Sequence, residues 1–367
     1  MAHRPAELAI RSGSQVRIAI VSPYGLDRPG GVQEQARGLT KHLRSAGHDV
    51  RLIGPGASDG SWISIGGTTE VEANAAIAPV CLEPGAVAKV KEAIVWAQVV
   101  HIHEPLVPVV GPAAWMTEGM PSVGTFHADP AAVVRGIYRF GGPLLAHLLG
   151  RIDVLTAVSE EAARAVRGFV PHPVLIPNGV DVTAFQPSPD RSPHRVAFVG
   201  RDDRRKGLDV LLQAWPRVLE AVPDAELVVV GARRDLQTPG VSFEGRVPEE
   251  RKRSLLGSAA VYCGPNTGGE SFGIALVEGM AASCAIVVSD LPAFRSVAGP
   301  VADYVRPGDV ENLAAALVGV LTNRARMCTM GEAARQRALM FDWTRVIPRW
   351  VRLYAQVSER FARRRRQ

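Results

Sequence analysis

Short runs of buried-type residues recur along this 367-residue chain, most of them followed by a turn and then by apolar residues at helical spacing. Val16 to Ser22 is a continuous apolar run, too uniform for a strand with one wet face and of the kind buried on both faces of a parallel sheet. After the Gly30-Gly31 turn, Val32, Ala36, Leu39 and Leu43 recur at helical spacing until Gly47, and Val50 to Ile53 opens a second strand. That is a strand-helix-strand unit, whose crossover makes its two strands parallel. Val99 to Ile102 and Ser122 to Phe126 extend the same sheet. Pro171, Pro173, Pro177, Pro187, Pro189 and Pro193 then crowd one stretch. A fresh series of strands follows at Val196 to Val199, Leu227 to Val230, Val241 to Glu244, Val261 to Cys263 and Ile286 to Ser289. The pattern predicts an α/β chain with a linker between two doubly wound domains. Ligands of such domains bind at the carboxyl ends of the strands. The stretch from Ala57 to Pro84 has little periodicity and stays unassigned.

Composition narrows the class. Hydrophobic residues make up 47% and charged residues 21%, as in ordinary soluble globular proteins, so disorder is expected only at the ends. Apolar runs fall far short of the roughly 20 residues that cross a bilayer. The opening residues, with Arg4, Glu7 and Arg11, lack the apolar stretch of a secretion signal, and a cytoplasmic protein is expected. Cys81, Cys263, Cys284 and Cys328 are too scattered for a metal or redox motif and read as reduced core thiols. Of the formal charge of +6, Arg363 to Arg366 supply four, so the excess is mostly a property of the tail. Upstream, Arg345, Arg349, Arg352 and Arg360 lie among Trp350, Val351, Leu353, Tyr354, Val357 and Phe361, a basic amphipathic pattern. Two readings stay open: a helix resting peripherally on anionic lipid, each basic residue contributing about 1 kcal/mol, or a docked terminal helix with a solvated arginine end. Nucleic acid ranks lower, because no aromatic stacking motif accompanies the charge.

Four constellations carry chemistry. In Gly268-Gly269-Glu270-Ser271-Phe272-Gly273-Ile274-Ala275-Leu276-Val277-Glu278, a polar glycine-rich turn runs into an apolar helix expected to start near Phe272. The free N–H groups and positive dipole end of that helix suit a phosphate, and Glu270 and Glu278 suit sugar hydroxyls. Directly after the first strand, Tyr24 to Gln33 holds Gly30 and Gly31, which permit unusual torsions and close approach of a ligand. It lacks both the three-glycine dinucleotide spacing and a Gly-Lys-Ser/Thr phosphate loop. In Gly200-Arg201-Asp202-Asp203-Arg204-Arg205-Lys206-Gly207, Arg201 and Lys206 suit a diphosphate, while Arg204 and Arg205 are expected to face solvent. His127 ends the strand Ser122 to Phe126, where it can bond a sugar hydroxyl or the phosphate. His101 and His103 alternate with Val100 and Ile102 as on a strand, and no carboxylate or cysteine cluster completes a metal site. A metal-independent reaction without a cofactor is expected.

Taken in order, the Gly-Gly turn, Thr125-Phe126-His127, Pro177-Asn178-Gly179-Val180-Asp181, the Gly-Arg…Arg-Lys-Gly loop and the Glu-x7-Glu element resemble the retaining glycosyltransferases of family 4. Within that family the chain is similar to the actinobacterial phosphatidylinositol mannosyltransferases. The likeness runs through Val21-Ser22-Pro23-Tyr24 with Pro29 to Gln33, His101-Ile102-His103-Glu104-Pro105, and Gly268 to Ile274. The resemblance implies a GT-B fold, two Rossmann-like domains facing across a deep cleft. It places the acceptor-side domain at 1–178 plus a returning C-terminal helix at 346–367, and the nucleotide-sugar domain at 179–345. It implies a diphosphate held by Arg201, Lys206 and the amides near Phe272, Gly273 and Ile274, with Gly30 and Gly31 beside it. It further implies His127 on the transferred sugar, Glu270 on sugar hydroxyls, Glu278 on the ribose, and Tyr24 and Gln33 bordering the acceptor. The implied reaction moves mannose from GDP-mannose to a phosphatidylinositol-type or other lipid or polyol acceptor at the inner membrane face. The chain departs from the mannosyltransferase pattern at acceptor-side positions, with Leu106 in place of asparagine and Ala128-Asp129-Pro130 in place of a polar stretch. Two further readings remain: a family 4 enzyme using UDP-glucose or another donor, and a non-catalytic module binding nucleotide sugar or membrane.

Overall fold

The computed structural model describes residues 15–73, 76–127 and 142–366. The chain divides into two compact units, Met1–Gly179 with Trp343–Gln367, and Val180–Asp342. In the first unit β1 (Arg17–Val21) leads through α1 (Gly31–Ser45) to β2 (Asp49–Gly54). There follow β3 (Ile63–Ser64), β4 (Thr69–Ala73), β5 (Ala76–Val80), α2 (Ala86–Ile94), β6 (Val99–His103), α3 (Val110–Trp115) and β7 (Ser122–Phe126). Beyond them lie α4 (Gly142–Leu149), β8 (Val154–Ala157), α5 (Glu160–Val166) and β9 (Val174–Leu175). β4 and β5 form an antiparallel hairpin, whereas the main sheet runs β3-β2-β1-β6-β7-β8-β9 with parallel pairing throughout. Its chain order reverses between β1 and β6, the point at which such sheets bind ligands.

The second unit repeats the plan with β10 (Ser192–Val199), α6 (Leu208–Ala221), β11 (Glu226–Val230), β12 (Val241–Gly245), α7 (Glu249–Ser258) and β13 (Ala259–Gly264). It continues with α8 (Ile274–Ala281), β14 (Ala285–Ser289), α9 (Pro292–Ala298), β15 (Ala302–Val305), α10 (Val310–Leu321) and α11 (Arg324–Ala338). This sheet is also parallel, in the order β12-β11-β10-β13-β14-β15, and it reverses between β10 and β13. The uniformly apolar runs follow from this: Val196, Phe198, Leu227, Val229, Val261 and Val287 face a core closed by Leu211, Trp215 and Leu317.

The chain then returns to the first unit as α12 (Trp343–Arg364). Trp343, Val346, Ile347, Trp350, Leu353, Tyr354 and Val357 enter one core with Ile18, Ile20, Leu39 and Leu43, each such side chain contributing about 1.5 to 3 kcal/mol of burial. A Cβ on Gly38 of α1 would lie 2.5 Å from the Trp343 ring, so this glycine lets the helix approach. The apolar stripe of the C-terminal segment is thereby used inside the unit, and Arg345, Arg349, Arg352, Arg360 and Arg363 to Arg366 face solvent. No helix among the described residues is long and apolar enough to cross a membrane.

Several expectations need correction. Within Ala57 to Pro84, β3 and the β4–β5 hairpin form where no periodicity pointed to strands. β8, β9 and β15 were also not foreseen, being only two to four residues long. Cys81, Cys263 and Cys284 are buried free thiols, but Cys328 is exposed, because Met327, Gly331 and Ala334 take the buried side of α11. Ala128-Asp129-Pro130 lies outside the described residues.

Candidate functional site

Because β10 and β13 are neighbours at the reversal point, the loops that follow them emerge side by side. Thr267 ties them together, its N–H donating to the Arg205 carbonyl at 2.8 Å and its hydroxyl to the Arg204 carbonyl at 3.2 Å. Gly207 closes the first loop at φ +70°, and a Cβ there would fall 1.9 Å from the Pro265 carbonyl oxygen; only glycine fits. Held in this way, Lys206 Nζ reaches Glu270 Oε2 at 2.7 Å, and Asn266 Nδ2 donates to the same oxygen at 3.1 Å. The Glu270 side chain is 16% exposed and that of Lys206 29%, so the pair is shielded yet reachable. Arg201 is exposed in the same loop.

Arg205 departs from its expected solvent position. Its guanidinium grips Asp203 at 2.7 and 3.2 Å, and it lies against Gly269, whose φ is +65° and whose absent Cβ leaves the space. Burial pushes the Asp203 carboxyl up, but Arg205 and Arg201 outweigh it and the net shift is downward. Asp203 also accepts from the Arg205 backbone N–H at 2.9 Å, fixing the loop from which Lys206 projects.

The helix after the glycine-rich turn begins at Ile274, two residues later than expected. Gly273 has a left-handed φ of +94°, and Phe272 is buried with its ring edge-on to Phe341 at 5.5 Å, so neither can start the helix. Gly273 supplies no side-chain cap, which leaves the first N–H groups of α8 open to an anion. Glu278, the fifth residue of α8, is buried and pairs through Oε1 with Lys252 Nζ at 2.7 Å. Burial pulls the Lys252 pKa down, but Glu278 and Glu249 reverse this and the net shift is upward. Burial first, and then the charges of Glu270 and Glu278, push the Tyr262 hydroxyl well above its usual range. The two carboxylates thus act on a common neighbour from different positions, one in the loop and one on the helix.

In the first unit, Gly30 caps α1 with an extended φ of −179°, and neither Gly30 nor Gly31 uses the positive torsions their type permits. At Gly30 a Cβ would crowd the end of the Gln33 side chain, 2.4 Å from its oxygen. Gln33 is buried with its amide toward the Gly25 carbonyl at 3.5 Å. Gly31 is exposed and Tyr24 half-buried, the latter pairing its backbone with Val80. Gln35, one turn on, holds Gly179 by two bonds of 2.9 Å, one to its N–H and one to its carbonyl.

His127 is 8% exposed and belongs to a buried polar chain. Its Nε2 lies 2.7 Å from His103 Nδ1, and its backbone N–H donates to Glu104 Oε1 at 2.7 Å. Glu104 itself has φ +47°, a conformation non-glycine residues adopt only when their surroundings impose it. His103 stacks on His101 with ring centroids 4.6 Å apart. The two nitrogens of His101 meet Tyr354 Oη at 2.7 Å and Thr125 Oγ1 at 2.6 Å, and Thr125 meets Thr156 Oγ1 at 2.7 Å. Thr156 lies 3.3 Å from the Gly124 carbonyl, which can only accept. One assignment therefore satisfies the whole row: Thr156 donates to Gly124, Thr125 to Thr156, His101 Nε2 to Thr125, and Tyr354 to His101 Nδ1. Burial keeps these rings neutral, lowering His101 to about 3, His127 to about 4 and His103 well below the usual value.

Among the sequence-derived residues, the structure joins Lys206 to Glu270 and leaves Glu278 to Lys252. Reading the sequence alone passed over Lys252, Asn266, Gln35 and the partners of His127. His101-x-His103 on a strand next to the one ending in His127 was the available signal, because alternate residues share a face. Among the described residues, no group of three or more His, Cys, Asp or Glu could hold a metal ion.

Residues 29–184 match the family described as Glycosyltransferase Family 4, and residues 193–323 match Glycosyl transferases group 1. The chain is 36% identical to the phosphatidyl-myo-inositol mannosyltransferase of Mycolicibacterium smegmatis, covering 94% of each chain. It is 37% identical to the protein of the same name from Mycobacterium tuberculosis, over 94% of this chain and 97% of that one. Among solved structures, the sucrose-phosphate synthase of Thermosynechococcus elongatus shares the fold, with a TM-score of 0.72 at 20% identity over 94% of this chain and 99% of that one.

Proposed function

This chain belongs to glycosyltransferase family 4, and on that premise we propose that it moves mannose from GDP-mannose to a phosphatidylinositol-type or other lipid or polyol acceptor, with retention at the anomeric carbon. The observation that carries the reading is the Lys206–Glu270–Asn266 cluster beside the open start of α8. In this reaction the bond from the anomeric carbon to the diphosphate oxygen breaks and a bond to the acceptor oxygen forms on the same face. The acceptor proton passes to the departing phosphate oxygen. Lys206, Arg201 and the amides of α8 offset the charge that builds on the diphosphate, so no cofactor is called for. Glu270, held by Asn266, is free to turn to sugar hydroxyls once phosphate claims Lys206, and Glu278, braced by Lys252, serves the ribose. His127 bonds the transferred sugar, while Tyr24 and the Gly30-Gly31 turn border the acceptor side.

The relatives act, by name, on phosphatidyl-myo-inositol, which supports a lipid acceptor, and a peripheral place at the inner membrane face is part of the same proposal. Since the apolar side of α12 is committed to the core, attraction to anionic lipid would rest on its exposed arginines alone. The decisive experiment incubates the protein with labelled GDP-mannose and total lipid extract and identifies the product by mass spectrometry. A mannosylated inositol lipid is expected; transfer only from UDP-glucose, or none from any nucleotide sugar, overturns the proposal. Loss of vesicle binding on deleting Arg363 to Arg366 would support the membrane role, and unchanged binding would remove it.

A further inference from the structure

We infer that His103 is a positioning residue that sets the proton on His127: His103 Nδ1–H donates to His127 Nε2, so that His127 offers an Nδ1–H donor to the transferred sugar. This deepens the mannosyl-transfer reading and rests on it for the identity of the ligand, whereas the placement of the proton does not.

The two rings share one hydrogen bond of 2.7 Å, so one nitrogen carries a proton and the other accepts. The remaining nitrogens, His103 Nε2 and His127 Nδ1, are buried without a hydrogen bond of standard geometry among the described residues, the Asn178 side chain being the neighbour that draws a proton to His127. Buried polar atoms without partners are rare and call for a reason. If His127 were the donor, the unpaired N–H would sit on His103 Nε2, midway along the buried chain. The ring stacked against it there is His101, whose two nitrogens are already taken by Tyr354 and Thr125. No acceptor among the described residues lies within hydrogen-bond distance of His103 Nε2. If His103 is the donor, the unpaired N–H moves to His127, at the end of β7 and beside Asn178, whose side chain favours the protonated ring. The orphan left on His103 is then a lone pair, and buried acceptors tolerate lack of a partner better than buried N–H groups do. The other titratable groups against this pair are His101, stacked on His103, and Glu104 of the β6 segment, whose Oε1 accepts from the His127 backbone N–H; Tyr354 of α12 bonds His101 in turn.

Two measurements test the inference. In protein labelled with 15N at its histidine rings and assigned with His127→Gln, the wild-type resonances should place the His127 proton on Nδ1 and the His103 proton also on Nδ1. A proton on His127 Nε2 overturns the inference, whether or not mannose transfer is found; wild-type protein that transfers no mannose sinks the functional reading and leaves this result standing. The second measurement is the pH profile of transfer by His103→Asp. A carboxylate can only accept, so it draws the proton of neutral His127 onto Nε2 and raises its pKa. Transfer should persist at acid pH, where a cationic His127 still offers Nδ1–H, and fall by up to about tenfold per pH unit above the new pKa. The wild type, with His127 neutral down to about pH 4, should show no such inflection. A His103→Asp profile parallel to the wild type overturns the inference. His103→Asn, which keeps a donor near the same place, should recover most of the activity at neutral pH.

Discussion

At the reversal point of the second sheet, Lys206 and Glu270 meet as an ion pair that solvent can reach, held by glycines and by Thr267. At that of the first, His103 ends β6 and bonds His127 from the neighbouring strand, both rings buried and neutral. Six strands follow the same order in both units, β9 being an addition to the first, so topology supplies the location and not the chemistry. On the proposed reading the second unit takes the diphosphate, which needs fixed positive charge and open amides. On the same reading the first unit meets a neutral, hydroxyl-rich sugar, which needs directed donors without charge such as a buried histidine held by its neighbours. The contrast also predicts where each unit is vulnerable: the first to protons, the second to loss of a cation or a glycine.

Acidification should produce the largest difference. His101, His103 and His127 have folded pKa values below the unfolded value near 6.5, so below that pH the unfolded chain takes up protons that the folded chain refuses. Stability contributed by the neutral rings is therefore complete above about pH 6.5 and falls as the pH drops toward 4, at up to about 1.4 kcal/mol per pH unit for each histidine. Hydrogen exchange resolved by mass spectrometry, at pH 7 and pH 5 and corrected for intrinsic rate, should show peptides of the β1–β6–β7 region losing protection while those of β10 and β13 hold theirs. Equal loss in both units would erase the comparison.

Replacing Lys206 by Met comes next. Removal of one such charge from a developing diphosphate should lower kcat about 10²- to 10³-fold. Because the lysine is partly exposed, stability should move by less than about 1 kcal/mol. Steady-state transfer and urea unfolding on one preparation separate the two effects; a change confined to KM would make Lys206 a ground-state binder only.

The two glycine turns give a sharper pair. In Gly207→Ala the new methyl meets a backbone carbonyl at 1.9 Å at a positive φ, and the loss should be about 3 kcal/mol or more. In Gly30→Ala the obstacle is the end of the Gln33 side chain and the backbone is extended, so about 1 kcal/mol or less is expected. Unfolding transitions of the two variants, each followed by exchange in its own unit, check the ranking; similar losses would mean that Gln33 is as rigid as backbone.

Much of this was legible in advance where the signal was local. Uniform apolar runs gave β1, β6, β7, β10 and β13 because strands buried on both faces tolerate nothing else. Glycine followed by a charged loop gave Lys206 and Glu270 because tight turns at sheet edges have few alternatives. The partners of these residues were not legible, since they depend on contacts remote in sequence. Lys252 meets Glu278 from another helix, Gln35 reaches Gly179 across 144 positions, and Tyr354 reaches His101 across 253. Arg205 was misread because charge suggested solvent, whereas Asp203 and the space at Gly269 gave it a seat.

The smallest effect tests whether the first unit employs charge only on its surface. Arg364 Nη1 lies 3.2 Å from Asp153 Oδ1, with the arginine side chain 69% exposed and the aspartate 10%. Burial holds the Asp153 carboxyl above its usual range, and the Ser122 N–H and Arg364 are among the groups that draw it back. The Ser122 N–H at 3.0 Å comes from the fold itself, so Asp153 keeps a partner when the arginine is lost. Arg364→Ala should thus cost no more than about 0.5 kcal/mol, the range of exposed pairs, and less still in high salt. Asp153→Ala should cost more, because it leaves the Ser122 N–H at the start of β7 without its acceptor. Urea unfolding of both variants at low and high salt distinguishes the two contributions. A salt-sensitive loss above about 1 kcal/mol for Arg364→Ala would show that the arginine end of α12 fastens the helix to the first unit, and the division between a neutral first unit and a charged second would have to be redrawn.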